Sequence, residues 1–103
     1  MNELTLVEME TCPDDVAINI LGPYEFDLLS IYERVRDSAK TFARNKELTT
    51  GKKFLVEMSR NQEGYPTADA YCEGKVVYRI FATKKTALES IESKSYTSAV
   101  GDF

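Results

Sequence analysis

A stripe of apolar residues that recurs every three or four positions in the middle of the chain leaves few folds open. Its members are Leu28, Ile31, Tyr32, Val35, Ala39, Phe42 and Ala43. This period predicts one long helix that extends to about Leu48 and stops before Gly51. Pro23 suits the first turn of that helix, with Glu25 and Asp27 near the positive end of its dipole.

Segments with strand patterns flank this helix on both sides. The predicted strands cover residues 4–9, 16–21, 54–58, 67–73 and 76–82. In the second strand Val16, Ile18 and Ile20 alternate onto one face. Residues 11–15 have turn chemistry and predict a hairpin between the first two strands. A short second helix is predicted at 84–93.

The order of elements is therefore ββαβββα, an α+β domain with a largely antiparallel sheet and the helices packed on one face. Alternation in the last strand groups Val76 with Tyr78 and Ile80. The other face of the sheet is expected to be wet or bound, with a mixed set of side chains. That set is Glu57, Asp69, Tyr71, Val77, Arg79 and Phe81. Residues 1–94 are expected to form this single domain and residues 95–103 a loose tail.

Composition excludes several classes of function. The 103 residues have no run of about 18 apolar residues and no basic-apolar leader, so we expect a cytoplasmic protein without membrane contact. Cys12 and Cys72 form no Cys-x-x-Cys pair, and we expect both to be reduced. The chain has no histidine, the usual general base and the commonest metal ligand. We therefore expect no enzyme activity and no metal or other cofactor.

Charge is divided unevenly along the chain. The first 33 residues contain eight acidic residues and no Lys or Arg, whereas the remaining 70 carry all 13 basic and the other nine acidic residues. A separation of this kind creates a directional field that steers encounter with a partner of opposite charge. Glu8 and Glu10, at i and i+2, point to one side of a strand, and a line of such carboxylates can imitate successive phosphates.

The charge layout therefore predicts a non-enzymatic acidic protein that covers a basic, and potentially nucleic-acid-binding, surface of a partner protein as a stoichiometric inhibitor or adaptor. The predicted partner-binding residues are Glu8, Glu10, Asp14, Asp15, Glu25 and Asp27. In size and charge the chain is similar to inhibitors of nucleic-acid enzymes carried by phages and mobile elements. Two other interpretations stay open: the acids neutralise Arg34, Arg36 and later lysines of the same fold, or they serve solubility.

The alternative is a nucleic-acid-binding module that uses the basic second part of the chain. Its predicted contacts are Lys52, Lys53, Arg79, Lys84 and Lys85. Lysines in the first turn of a helix oppose the dipole, which indicates an anion nearby, although acids such as Glu73 or Glu89 serve equally. With Lys84, Lys85 and Ala87 at the last helix, the order α-β-β-β-α resembles double-stranded-RNA-binding domains.

That resemblance is incomplete and has a rival. Leu88 stands where the double-stranded-RNA-binding family has a further Lys, and the Gly-Pro-x-His loop of that family is absent. The segment Phe81-x-Thr-Lys-Lys-x-Ala is also similar to three-stranded arm-type DNA-binding domains. Pairing of two copies through an exposed edge strand, which gives a homodimer, is a further option.

Overall fold

The computed structural model describes residues 2–12 and 15–84. The elements of this part of the chain are β1 (Asn2–Cys12), β2 (Asp15–Phe26), α1 (Leu28–Thr50), β3 (Leu55–Arg60), β4 (Pro66–Cys72) and β5 (Lys75–Thr83). The strands pair antiparallel in the spatial order β2-β1-β5-β4-β3. The α+β class with an antiparallel sheet is confirmed, as is the hairpin of the first two strands.

The described order of elements is ββαβββ, which differs from the predicted ββαβββα. Lys84, where the second helix was expected to begin, lies in a bend directly after β5. The rest of that predicted helix, 85–93, and the predicted tail, 95–103, lie outside the described residues.

α1 packs on one face of the sheet through a narrow row of side chains. The row consists of Ile31, Val35, Ala39 and Ala43, each one turn apart. Ala68 and Ala70 of β4 are fully buried in the same core, and their small side chains allow close approach of the helix. Burial of a side chain such as Val35 contributes about 1.5–3 kcal/mol. The buried face is thus narrower than the predicted stripe, because Leu28, Tyr32 and Leu48 are exposed.

The two ends of α1 are fixed by local hydrogen bonds. Asp27 is the N-cap, and its side chain accepts a 2.7 Å hydrogen bond from the backbone N–H of Ser30. Gly51 has φ 74°, the left-handed conformation that ends helices, and its N–H donates to the carbonyl of Glu47 at 3.0 Å. The predicted stop at Gly51 is confirmed.

The predicted helix start at Pro23 is wrong, because β2 runs on through the cis Gly22-Pro23 peptide to Phe26. Pairing with β1 shifts by one residue at this point, between Leu4 and Leu6. Gly22 has φ 103°, and a Cβ there would lie 3.0 Å from the backbone N of Tyr24 and 3.1 Å from the carbonyl O of Leu4. The irregularity bends the strand without ending it. Glu25 therefore lies in β2 rather than beside the helix dipole.

The face of the sheet opposite α1 carries a second apolar cluster. Val7, Met9 and Phe81 are buried there, and Val76 packs against them. The predicted grouping of Val76 with Tyr78 and Ile80 is wrong, because the β4–β5 register shifts beside Tyr71 and Val77 is the extra residue of a bulge. The predicted mixed character of this face holds in part, since Asp69 and Phe81 lie on it and are buried.

Candidate partner-binding surface

Glu8 and Glu10 share one face of β1, as their spacing predicts, and this face is turned toward α1. Both oxygens of the Glu8 carboxylate accept hydrogen bonds, from Tyr78 Oη at 2.5 Å and from Asn19 Nδ2 at 3.0 Å. The Glu10 carboxylate lies 3.2 Å from Nζ of Lys46 on α1. Both acids are thus engaged within the fold itself.

Tyr78 explains why β1 carries an acid at position 8. Its ring is buried and stacks on Phe42 of α1 with ring centroids 4.3 Å apart. Burial raises the pKa of Tyr78 well above its ordinary value, and the hydrogen bond to Glu8 raises it further. Because a buried hydroxyl needs a partner, Glu8 is the acceptor that satisfies this phenol.

Beside Glu8 lies an open groove of about 370 Å³ between the hairpin and α1. Its other lining residues are Arg34, Asp37, Ser38 and Thr41. The groove combines charges of both signs with two hydroxyls, and it is wide open to solvent. Within the part of the chain that the structure describes, no cluster of three or more acidic or cysteine side chains is placed to hold a metal ion.

The other predicted acids lie elsewhere on the molecule. Asp14 and the side chain of Asp15 are outside the described part. Glu25 lies opposite Glu3 at the far end of the hairpin. Glu3 is seven residues from Glu10 along β1, which corresponds to about 24 Å. Asp27 is occupied as the N-cap, and its pKa is lowered by the hydrogen bond from the Ser30 backbone. The structure thus separates Glu8 and Glu10 from Glu25 and Asp27.

The predicted basic residues are not gathered either. Arg79 and Asp69 form a two-point ion pair on the second face, with 2.7 Å between Nη2 and Oδ2, and both side chains are largely buried. Lys52 lies 3.1 Å from Glu73, and the hydrogen bond to this carboxylate raises the pKa of Lys52. Lys84 lies at the opposite end of β5 from the turn that carries Glu73.

Among the predicted basic residues that the structure describes, Lys53 and Lys84 make no side-chain ion pair. Lys53 is exposed, and Lys85 lies outside the described residues. The backbone N–H of Lys84 donates to Glu63 at 3.1 Å, so an acid rather than an external anion accepts this donor. A continuous basic stripe for a phosphate backbone is therefore not formed by Lys52, Arg79 and Lys84.

A group of exposed apolar side chains at the start of α1 was missed by the sequence reasoning. The exposed fractions are 49% for Tyr24, 65% for Leu28, 68% for Leu29 and 39% for Tyr32. Leu28 and Tyr32 are one turn apart on α1 and Leu29 lies beside them, so the three form a short stripe. Tyr24 precedes them on the same face of the sheet as α1 and packs edge to face on Phe26, with centroids 6.1 Å apart.

Acidic side chains lie near this stripe. Glu33 is exposed one turn after Leu29, and Glu3 and Glu25 are directly opposed residues at the same end of the hairpin. Because these two alternate with Leu4 and Tyr24, they point to the face of the sheet opposite α1. Like charges placed opposite each other destabilise a strand pair. Among the residues that the structure describes, neither Glu3 nor Glu25 has a cation within salt-bridge distance.

We call this region the helix-start surface. It consists of Tyr24, Leu28, Leu29 and Tyr32 with Glu33 at its border. Glu3 and Glu25 lie at the same end of the hairpin on the other face of the sheet. The Arg36 guanidinium approaches this surface and lies 5.8 Å from the centre of the Tyr32 ring. The sequence signal that was available for this surface is the Leu28-Leu29 pair, since two adjacent helix positions cannot both lie on one narrow buried row. The pair alone does not tell which of the two is exposed.

In its described residues the chain is a small α+β protein, with one helix packed on a five-stranded antiparallel sheet. Comparisons of the chain with protein-family models, with curated proteins and with solved structures found no match. Over residues 2–12 and 15–84, no helix combines the length and the apolar character needed to cross a membrane.

Proposed function

We propose that this protein binds a protein partner stoichiometrically, as an inhibitor or adaptor without enzyme activity, and that it contacts a basic surface of that partner. The observation that carries the proposal is the helix-start surface, where exposed leucines and tyrosines cluster at the end of the hairpin that carries the opposed pair Glu3 and Glu25 on its other face. This assigns the contact to a different part of the acidic region than Glu8 and Glu10.

The apolar side chains supply the affinity in this proposal. Exposed large apolar groups that cluster and have a polar border are typical of protein interaction sites, and interface centres are rich in aromatic residues. Leu28 and Leu29 are held by a capped helix, so little order has to be gained when a partner binds.

The acids supply the choice of partner. A partner on the helix-start surface that also reaches around the β2 edge can place a Lys or Arg between Glu3 and Glu25. This relieves the repulsion between the two carboxylates, so a basic partner gains more here than a neutral one. The absence of basic residues before Arg34 keeps the surrounding field negative and favours fast encounter with such a partner.

The experiment is affinity capture from the cell that carries the gene, with three immobilised forms of the protein. These are the unmodified protein, Leu28→Gln/Leu29→Gln, and the control Leu48→Gln, which alters an exposed leucine near the other end of the same helix. Quantitative mass spectrometry should identify a basic protein that the unmodified and control forms retain and that the double variant loses.

A second pair of variants tests the charges. Glu25→Gln should slow association with the captured partner and weaken its salt dependence, whereas Glu10→Gln should not, because Lys46 already occupies Glu10. Capture that is insensitive to Leu28→Gln/Leu29→Gln contradicts the proposal. A nucleic acid that shifts at low salt and is lost with Lys84→Ala/Lys85→Ala favours the nucleic-acid alternative.

A further inference from the structure

Within the described part of the chain β2 is an edge strand, and half of its length carries none of the residues that usually protect such an edge. Among the described strands it has β1 as a neighbour on one side only. Natural edge strands are commonly short, charged, or interrupted by Pro or a bulge, which discourages pairing with another chain. The opposite edge, β3, follows this rule, since it has six residues including Glu57 and Arg60. In β2, Pro23 and the bulge lie near one end, and residues 16–21 contain no charge and no Pro.

The composition of this run favours strand pairing. The residues Val16-Ala17-Ile18-Asn19-Ile20-Leu21 are rich in β-branched and apolar side chains. Ile18 is 43% exposed on the face opposite α1, while Ile20 on the same face packs against the second apolar cluster. Ile18 is thus an exposed isoleucine beside a buried cluster, on an edge that no other described strand covers, and this pattern is typical of a sheet that can accept a further strand.

We infer that two copies of this chain pair antiparallel through β2, with Ile18 on the twofold axis, and form a continuous ten-stranded sheet from the ten described strands. In this register Ile18 lies opposite Ile18 of the second copy, and Ala17 lies opposite Asn19. Directly opposed residues of an antiparallel pair point to the same face, so the apolar side chains of both copies meet on the face that carries the second cluster.

The second copy fits this edge because the run is self-complementary. A C2 contact needs a surface that is complementary to itself. With Ile18 on the axis, the uncharged residues 17–19 of one copy lie opposite the same uncharged residues of the other. α1 packs over β4 and β5 through Ala68, Ala70 and Ile80, so it leaves the β2 edge accessible. The acids of the adjacent strand that point toward α1, Glu8 and Glu10, are engaged by Tyr78 and Lys46.

Charge gives the pairing a recognisable salt dependence. Each copy has a net charge of −4, and the β1–β2 hairpin belongs to the acidic part of the chain. Bringing two hairpins together therefore costs electrostatic energy that salt screens, so dimerisation should strengthen as salt increases. Binding of a basic partner at the helix-start surface should weaken under the same change, which keeps the two proposals distinguishable.

The test is sedimentation equilibrium over a concentration series with the full chain. The unmodified protein should approach twice the monomer mass, and Ile18→Lys should raise the dimer dissociation constant by roughly tenfold or more, because two ammonium groups then meet on the axis. Leu55→Lys is the matched control, since Leu55 is 56% exposed on the other edge strand. It should leave the dimer intact.

A cross-link tests the register independently of stability. In a Cys12→Ser/Cys72→Ser background, Ile18→Cys should form an intermolecular disulfide when oxidised glutathione is added as the oxidant, because directly opposed Cα atoms lie about 4.5–5.5 Å apart. Leu55→Cys in the same background is the control. A monomer at every concentration, or an Ile18→Cys cross-link no faster than that of Leu55→Cys, overturns the inference.

Discussion

Tyr78 donates a 2.5 Å hydrogen bond to Glu8 across 70 positions of the chain, and this contact joins the neighbouring strands β1 and β5 beneath α1. The phenol is buried, whereas the carboxylate borders the open groove. Removing the Glu8 carboxylate should therefore affect stability differently from removing the Tyr78 hydroxyl.

Glu8→Ala should destabilise the protein more than Tyr78→Phe does. Without the carboxylate, the buried hydroxyl of Tyr78 has lost its acceptor, which costs about 1–3 kcal/mol. Without the hydroxyl, water from the groove hydrates Glu8 and the ring still stacks on Phe42, so the cost is about 1 kcal/mol. Urea unfolding measures both values, and the reverse order would contradict the assignment of Glu8 as a structural acceptor.

The same contact predicts how stability depends on pH in the alkaline range. The pKa of Tyr78 is raised in the folded state, so folding favours the protonated phenol. Its contribution is fully present below the unfolded tyrosine pKa of about 10 and is lost progressively as the pH rises above that value. Tyr78→Phe lacks this contribution. Above about pH 10 the unmodified protein should therefore lose unfolding free energy relative to Tyr78→Phe. A difference between the two proteins that stays constant up to pH 12 would refute this prediction.

Sequence patterns located most strands because alternation is a local property. Residues 16–21 and 76–82 were predicted as strands, and both lie within strands of the sheet. The pairing of β1 with β5 was not predictable in this way. The two strands are about 70 residues apart in sequence, and their alternation is equally compatible with other strand orders. Gly22-Pro23 misled for a different reason, since a bulge and a strand end have the same local signal.

The candidate site was harder to predict than the fold. The i, i+2 spacing showed that Glu8 and Glu10 share a face, but which face depends on Leu4 and Leu6, which pack beneath α1. The period of the apolar stripe in α1 likewise did not distinguish Ile31, which is buried, from Leu28, which is exposed. The width of the buried row depends on the alanines of β4, so the sequence of α1 alone does not reveal it.

The ion pair of Asp69 and Arg79 should behave as a buried pair. Arg79→Met leaves the Asp69 carboxylate 5% exposed without its guanidinium, and should cost about 3–5 kcal/mol. Asp69→Leu/Arg79→Met removes both charges and should recover most of that loss. Thermal or urea unfolding of the two variants provides the comparison, and a double variant as unstable as Arg79→Met would show that the pair is not the cause.

Asp27 should stabilise the start of α1 as an acceptor that is most effective when ionised. Asp27→Ala should lower stability more than Asp27→Asn, which retains an oxygen for the N–H of Ser30. Because the folded pKa of Asp27 is lowered, its contribution is present above the unfolded value of about 3.9 and is lost as the pH falls through the folded pKa. Unfolding curves at pH 7 and in the acidic range should show Asp27→Ala losing its disadvantage in acid.

Leu28→Gln/Leu29→Gln should separate binding from stability. Both leucines are about two-thirds exposed, and Gln has nearly the helix propensity of Leu, so the unfolding free energy should change by less than about 1 kcal/mol. If these side chains contact a partner, the same variant should lose most of its affinity, because apolar anchors dominate such interfaces. Far-UV circular dichroism and urea unfolding establish that the fold is intact. A large loss of stability would instead place Leu28 and Leu29 in the core of the protein and remove the basis for a helix-start interface.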